Sequence, residues 1–178
     1  METKENVPSI IPKRIVLDES QKKQFTKWLG IQQKGTEAGI KNIVDYYARV
    51  QEEKDNARNV LQKISVLVKY DTLKPEDPND SQSMKSSKEE LSYIKAATLD
   101  VQTGKIDRVQ TLLEKDIEKT LGYLTLNSMA PEDRRRIDSD FFSEPKKSIS
   151  LLKIIDPKKA AHYQEQLKRR EKYETGLW

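Results

Sequence analysis

Proton transfer and nucleophilic attack near neutral pH call for a side chain that titrates there or can be activated. This 178-residue chain has one histidine, His162, and no cysteine. A histidine acting as general base needs an orienting partner, and a zinc site needs several nitrogen, sulfur or carboxylate ligands. His162 has only Glu165 three residues on, inside a run of lysines and arginines, and reads as a surface histidine. Gly104-Lys105 lacks the upstream glycine and the following hydroxyl residue of a phosphate-cradling loop, and no dinucleotide fingerprint occurs. Carboxylates are abundant but interspersed with lysine, as on solvated helix faces. A carboxylate-bridged di-metal bundle needs Glu-x-x-His on two helices, which one histidine cannot supply. The expectation is a protein that is not an enzyme, with no catalytic, cofactor-binding or metal-ligating residues and no cofactor.

Phosphate recognition is the stronger chemical alternative. Residues 146–178 carry nine basic and four acidic groups, residues 1–35 seven and four, and the middle is slightly acidic, for an overall +4. Lys158, Lys159, Lys168, Arg169, Arg170 and Lys172, with Tyr163 and Tyr173 between them, could neutralise phosphates and stack bases. Glu165, Glu171 and Glu174 dilute that patch, so a solvated amphipathic helix is the competing reading. Arg134-Arg135-Arg136 are likewise crowded by Asp133, Asp138 and Asp140. Basic ends could equally meet an acidic protein surface.

The elements that carry these residues are helical. Hydrophobic and charged residues each make up 35% of the chain, against about 45–50% and about 25% in ordinary globular domains. Such a composition buries narrow seams and not a thick interior. From Thr36 to Asp71 the positions Ile40, Ile43, Tyr47, Val50, Lys54, Ala57, Leu61, Ile64, Val68 and Asp71 alternate steps of three and four, the spacing of a coiled-coil seam. As one helix this stretch would reach about 54 Å. Lys54 either fixes register within the seam or extends its ammonium to the seam edge over Ala57.

Four segments follow. Residues 1–17, with Pro8 and Pro12 around Ile10-Ile11 and then Ile15-Val16-Leu17, form an extended arm with apolar anchors. Residues 18–35 hold a short helix capped by Asp18 or Ser20, with Phe25, Trp28 and Leu29 on one face. Residues 36–127 form a helical hairpin whose linker, 72–87, holds two prolines and four serines. Its second helix starts at a Ser87/Glu90 capping box, and its stripe slips phase near Thr103-Gly104-Lys105, as a kink or a stutter. Residues 128–178 contain a helix Pro131–Phe142, a connector 143–148, an apolar segment 149–155, and a last helix begun by Asp156-Pro157.

The expected fold is therefore all-α: an elongated helical hairpin or coiled coil of two long helices, with shorter flanking helices and an extended N-terminal arm. The expected role is a structural or adaptor subunit of a larger assembly. Its helix-seam interface would be Ile40, Ile43, Tyr47, Val50, Leu61, Ile64 and Val68, with docking anchors at Ile10, Ile11, Trp28, Leu177 and Trp178. A lone tryptophan beside Phe25 and Leu29 is, however, more often simply local core than an anchor. Partners would be proteins or further copies of the chain, an acidic surface or nucleic acid through the basic ends, and no membrane. With no cysteine and no apolar leader at Met1–Ile10, the expected setting is intracellular, cytoplasmic or cytoskeletal.

Overall fold

The computed structural model describes residues 15–70, 77–127 and 143–174, apart from the side chains of Leu67, 123–127 and 173–174. These residues form six α-helices: α1 Glu19–Asn56, α2 Val60–Tyr70, α3 Gln82–Gln102, α4 Asp107–Asn127, α5 Ser143–Ile155 and α6 Pro157–Glu174. A short 3-10 turn, Pro78–Asp80, precedes α3. The all-α class is thus as the composition implies. The chain divides into two compact units, Lys27–Ala96 and Met1–Thr26 with Ala97–Trp178.

In the second of these units α4 packs on α5 and α6, and α5 packs on α6. Val109, Leu113 and Ile117 recur at four-residue steps, with Leu112 and Leu121 beside them, so α4 presents one apolar face. Ile149, Leu151, Leu152 and Ile155 of α5 and Ala160, Tyr163 and Leu167 of α6 complete the buried apolar set. Carboxylates bordering the α4 stripe tie the neighbours down. Ser148 donates to Asp116 at 2.6 Å, Lys159 to Glu114 at 2.7 Å, and Tyr163 to Glu118 at 2.6 Å. Burial of the ring, and then the bond to Glu118, pushes the Tyr163 phenol far up from its ordinary value.

Several boundaries differ from the sequence expectation. The short helix and the long one are a single 38-residue helix, α1, running through Gly30, Gly35 and Gly39. None of these glycines adopts a positive φ. Thr36 is no cap: its hydroxyl donates to the Gln32 carbonyl one turn back, at 3.1 Å. Helix interiors tolerate glycine at about 1 kcal/mol each, less than the cost of two helix ends without caps. The predicted 36-residue helix is in turn divided at Ala57–Asn59 into α1 and α2.

The 72–87 linker is shorter than expected as well. Ser81, not Ser87, caps α3 by accepting from the Met84 amide at 3.1 Å, so the helix begins at Gln82. The part of the linker at 71–76 lies outside the described residues. The phase slip at Thr103-Gly104-Lys105 is a complete stop. Gly104 has φ +72°, its amide donates to the Val101 carbonyl at 3.3 Å, and the Lys105 amide donates to the Asp100 carbonyl at 3.0 Å. That pair of bonds is a Schellman closure with glycine at the left-handed position. Gly104 also accepts the Ile15 amide at 3.2 Å, which ties down the described end of the N-terminal arm, where Leu17 is buried.

Two starts come out as expected. The Asp18 carboxylate accepts from the Gln21 amide at 2.7 Å and opens α1, and Asp156 accepts from the Lys159 amide at 3.1 Å and opens α6 with Pro157 in its first turn. The connector expected at 143–148 is instead the N-terminal part of α5, where Pro145, in the first turn, has no helical hydrogen bond to forfeit. The helix expected at Pro131–Phe142 lies outside the described residues.

Candidate docking surface

The surface most in need of an explanation belongs to α2. Asn59 starts this helix by accepting the Gln62 amide at 2.9 Å, while the Gln62 side chain accepts the Arg58 amide at 2.8 Å, a near-reciprocal cap. Asparagine competes well for backbone amides, so it can end one helix and begin another without proline or glycine. The chain reverses here and α2 returns along α1. Lys69 reaches both oxygens of Glu53 at 2.9 Å, Tyr70 donates to the same carboxylate, and the Tyr46 and Tyr70 rings meet edge to face at 5.9 Å. The Tyr70 bond, followed by the Lys69 bond, holds the Glu53 carboxyl below its usual value.

This clasp sets which face of α2 looks outward. Gln62, Ser65 and Val66 line a 260 Å³ cleft with Glu53, Asn56 and Ala57 of α1 and the turn. At about 100° per residue, Val60, Leu61, Ile64 and Val68 fall on the opposite side. They are 71%, 79%, 51% and 79% exposed. The more polar face of an amphipathic helix thus meets its own chain, and the apolar one is left to solvent. Single exposed hydrophobic residues are ordinary; four on one face of an 11-residue helix are a patch.

The predicted seam is therefore split. Its α1 members Ile40, Ile43, Tyr47 and Val50 are half-buried, as are Lys54 and Ala57, and its α2 members Leu61, Ile64 and Val68 are exposed. Ile43 and Tyr47 join Asn42, Tyr46 and the start of α3 (Ser81, Gln82, Ser83) around a 390 Å³ cleft. A heptad counted from Thr36 and not from Asn59 passes over Val60, the neighbouring Lys63 and Arg58 in the turn. The signal that finds them is in the sequence: Val60, Leu61, Ile64 and Val68 form a stripe when 60–70 is projected as a separate helix.

The remaining candidates are dispersed. Trp28 is buried at 6% exposure, which is the local-core alternative. Ile10, Ile11, Leu177 and Trp178 lie outside the described residues. On α6, Lys158, Lys168 and Lys172 are not buried and Arg170 is half-buried, whereas Lys159 is paired with Glu114 and Arg169 with Glu165. The bond to Glu114 raises the Lys159 ammonium above its ordinary value. His162 is exposed, 2.7 Å from the Gln166 amide nitrogen. Among the described residues no group of three His, Cys, Asp or Glu side chains could hold a metal ion, and no helix is long and apolar enough to cross a membrane. No family model, curated protein or solved structure matches the chain.

Proposed function

We propose that this chain is a non-enzymatic structural or adaptor subunit that joins a larger assembly by helix pairing, with the outward stripe of α2 as its docking surface. The observation that carries this reading is the exposure of Val60, Leu61, Ile64 and Val68 on one face of a helix that is clasped to its own chain by the other. An intracellular, cytoplasmic or cytoskeletal setting suits a cysteine-free chain of this kind.

Burying what remains exposed of the four aliphatic side chains would yield about 4–8 kcal/mol. Association costs about 4–15 kcal/mol in lost freedom. The stripe alone therefore supports a weak to moderate contact, and stable incorporation needs a second point of attachment. That balance fits a subunit held at several places better than a self-sufficient pair.

The test is placement of a photo-crosslinking benzoylphenylalanine at Leu61 or, as a control, at exposed Glu52 in the assembled protein. The reading expects protein adducts from position 61 and few from position 52. It also expects Leu61→Asp to abolish incorporation with the circular dichroism of the free chain unchanged, and Glu52→Ala to do little. Equal adducts at the two positions, or normal incorporation of Leu61→Asp, would refute it. The alternative, phosphate binding through the basic end, has exposed Lys158 and Lys168 in its favour. It ranks second because Lys159 and Arg169 are held in ion pairs with carboxylates.

A further inference from the structure

We infer that α2 is a recognition helix for a protein groove with an apolar floor and an acidic rim. The inference rests on the docking role proposed above and adds the chemistry of the partner. Leu61, Ile64 and Val68 stand at i, i+3 and i+7, the anchor spacing with which a helix enters a hydrophobic groove. Val60 widens the stripe on one side.

The charges beside the stripe are of one sign. Lys63 stands beside the Val60 edge of the stripe, and Arg58 precedes the helix in the turn before Asn59; both side chains are exposed, and neither forms an ion pair among the described residues. No acidic residue occurs between Ala57 and Tyr70. The third cation, Lys69, lies on the opposite face and is spent on Glu53. A groove closing over the stripe would bring its rim against Lys63 and the end of the groove toward Arg58, where carboxylates attract and ammonium groups repel.

The same features disfavour two other occupants. A second copy packing α2 on α2 in parallel would set Arg58 and Lys63 against their own kind, and an antiparallel one would offer them no carboxylate, since none occurs between Ala57 and Tyr70. A membrane surface is met best by helices with aromatic or leucine-rich faces and several cations on the polar side. Here the stripe has no aromatic residue, and the polar side is turned onto α1 with Lys69 neutralised.

The experiment uses the full chain and two fluorescein-labelled 21-residue helical peptides. Both have leucine at the seam positions; one has glutamate at every flanking position and the other lysine. Anisotropy at low salt is expected to show the glutamate peptide binding at least tenfold more tightly than the lysine one. Leu61→Asp should abolish that binding, Lys168→Glu in α6 should leave it unchanged, and the double variant Arg58→Glu, Lys63→Glu should invert the preference. Circular dichroism checks that each variant keeps its helix content; Lys63→Gln, with a smaller preference for the glutamate peptide, serves if the double variant does not fold.

Equal binding of both peptides, still dependent on Leu61, would overturn the acidic rim and leave the docking role standing. Absence of binding by either peptide, with position 61 still crosslinking in the assembly, would overturn the groove chemistry alone. Leu61-dependent binding to phosphatidylserine-containing vesicles, or a Leu61-dependent dimer in sedimentation, without peptide binding, would overturn the inference in favour of lipid or a second copy.

Discussion

Replacing Gly104 by alanine tests the stop between α3 and α4, on which the arm and the α4–α5–α6 cluster both depend. At φ +72° an L-residue costs about 1–2 kcal/mol more than glycine. The added Cβ would also stand 3.0 Å from the Ile15 carbonyl oxygen, so the arm must shift. That shift weakens the hydrogen bond from the Ile15 amide to Gly104, which contributes about 0.5–1.5 kcal/mol. The expected loss is about 2–3 kcal/mol. Gly35→Ala is the matched control. It lies within α1, nothing stands within 4 Å of the methyl group it would add, and a helix interior gains about 1 kcal/mol from the change. Thermal unfolding followed by circular dichroism should lower the midpoint of Gly104→Ala by roughly 4–12 °C and raise that of Gly35→Ala by roughly 2–4 °C. Changes of the same sign in the two variants would mean that the left-handed turn does not carry the load assigned to it.

Three further outcomes follow from the packing and the charges. Leu113→Ala, at a fully buried position, should cost about 2–5 kcal/mol in urea unfolding, whereas Leu61→Ala, 79% exposed, should stay within about 0.5 kcal/mol; a comparable loss at Leu61 would mean that it is buried in solution. Tyr163→Phe removes the bond to Glu118 and should cost about 1 kcal/mol. In the parent the raised phenol contributes stability that is complete below pH 10 and lost at higher pH, so an alkaline unfolding series should show a smaller decline in the variant. Glu53, whose carboxyl is held below its ordinary 4.5, contributes stability present above that value and lost as the pH falls through the depressed one. Protection of α2 against amide exchange, corrected for the intrinsic rate, should therefore fall relative to that of α4 as the pH drops below the ordinary carboxylate value; an equal loss of protection in both helices would count against the clasp.

Composition and apolar spacing make the helical class legible, along with the caps at Asp18 and Asp156, since these depend on neighbours within four residues. The heptad count breaks down at Ala57–Asn59 for a definable reason. Apolar spacing is blind to a cap, and Asn59 with Gln62 closes a helix end whose apolar phase runs on undisturbed. At Gly30, Gly35 and Gly39 the error runs the other way: glycine reads as punctuation where the helix continues. The docking stripe is half visible. Leu61, Ile64 and Val68 stand out as apolar pairing positions, but which way they face depends on Glu53 meeting Lys69 and Tyr70, residues 16 and 17 positions away.

Read along the chain, the amino acids settle local matters: helix as the only regular structure expected, the residue types able to pair, and the sign of the charge at each end. Backbone propensity, capping and side-chain chemistry act over a turn or two, and so can be read along a line. The outward turn of the α2 face is decided by tertiary packing. It depends on a carboxylate shared between distant groups, and no periodicity along one helix encodes which side of it another will cover.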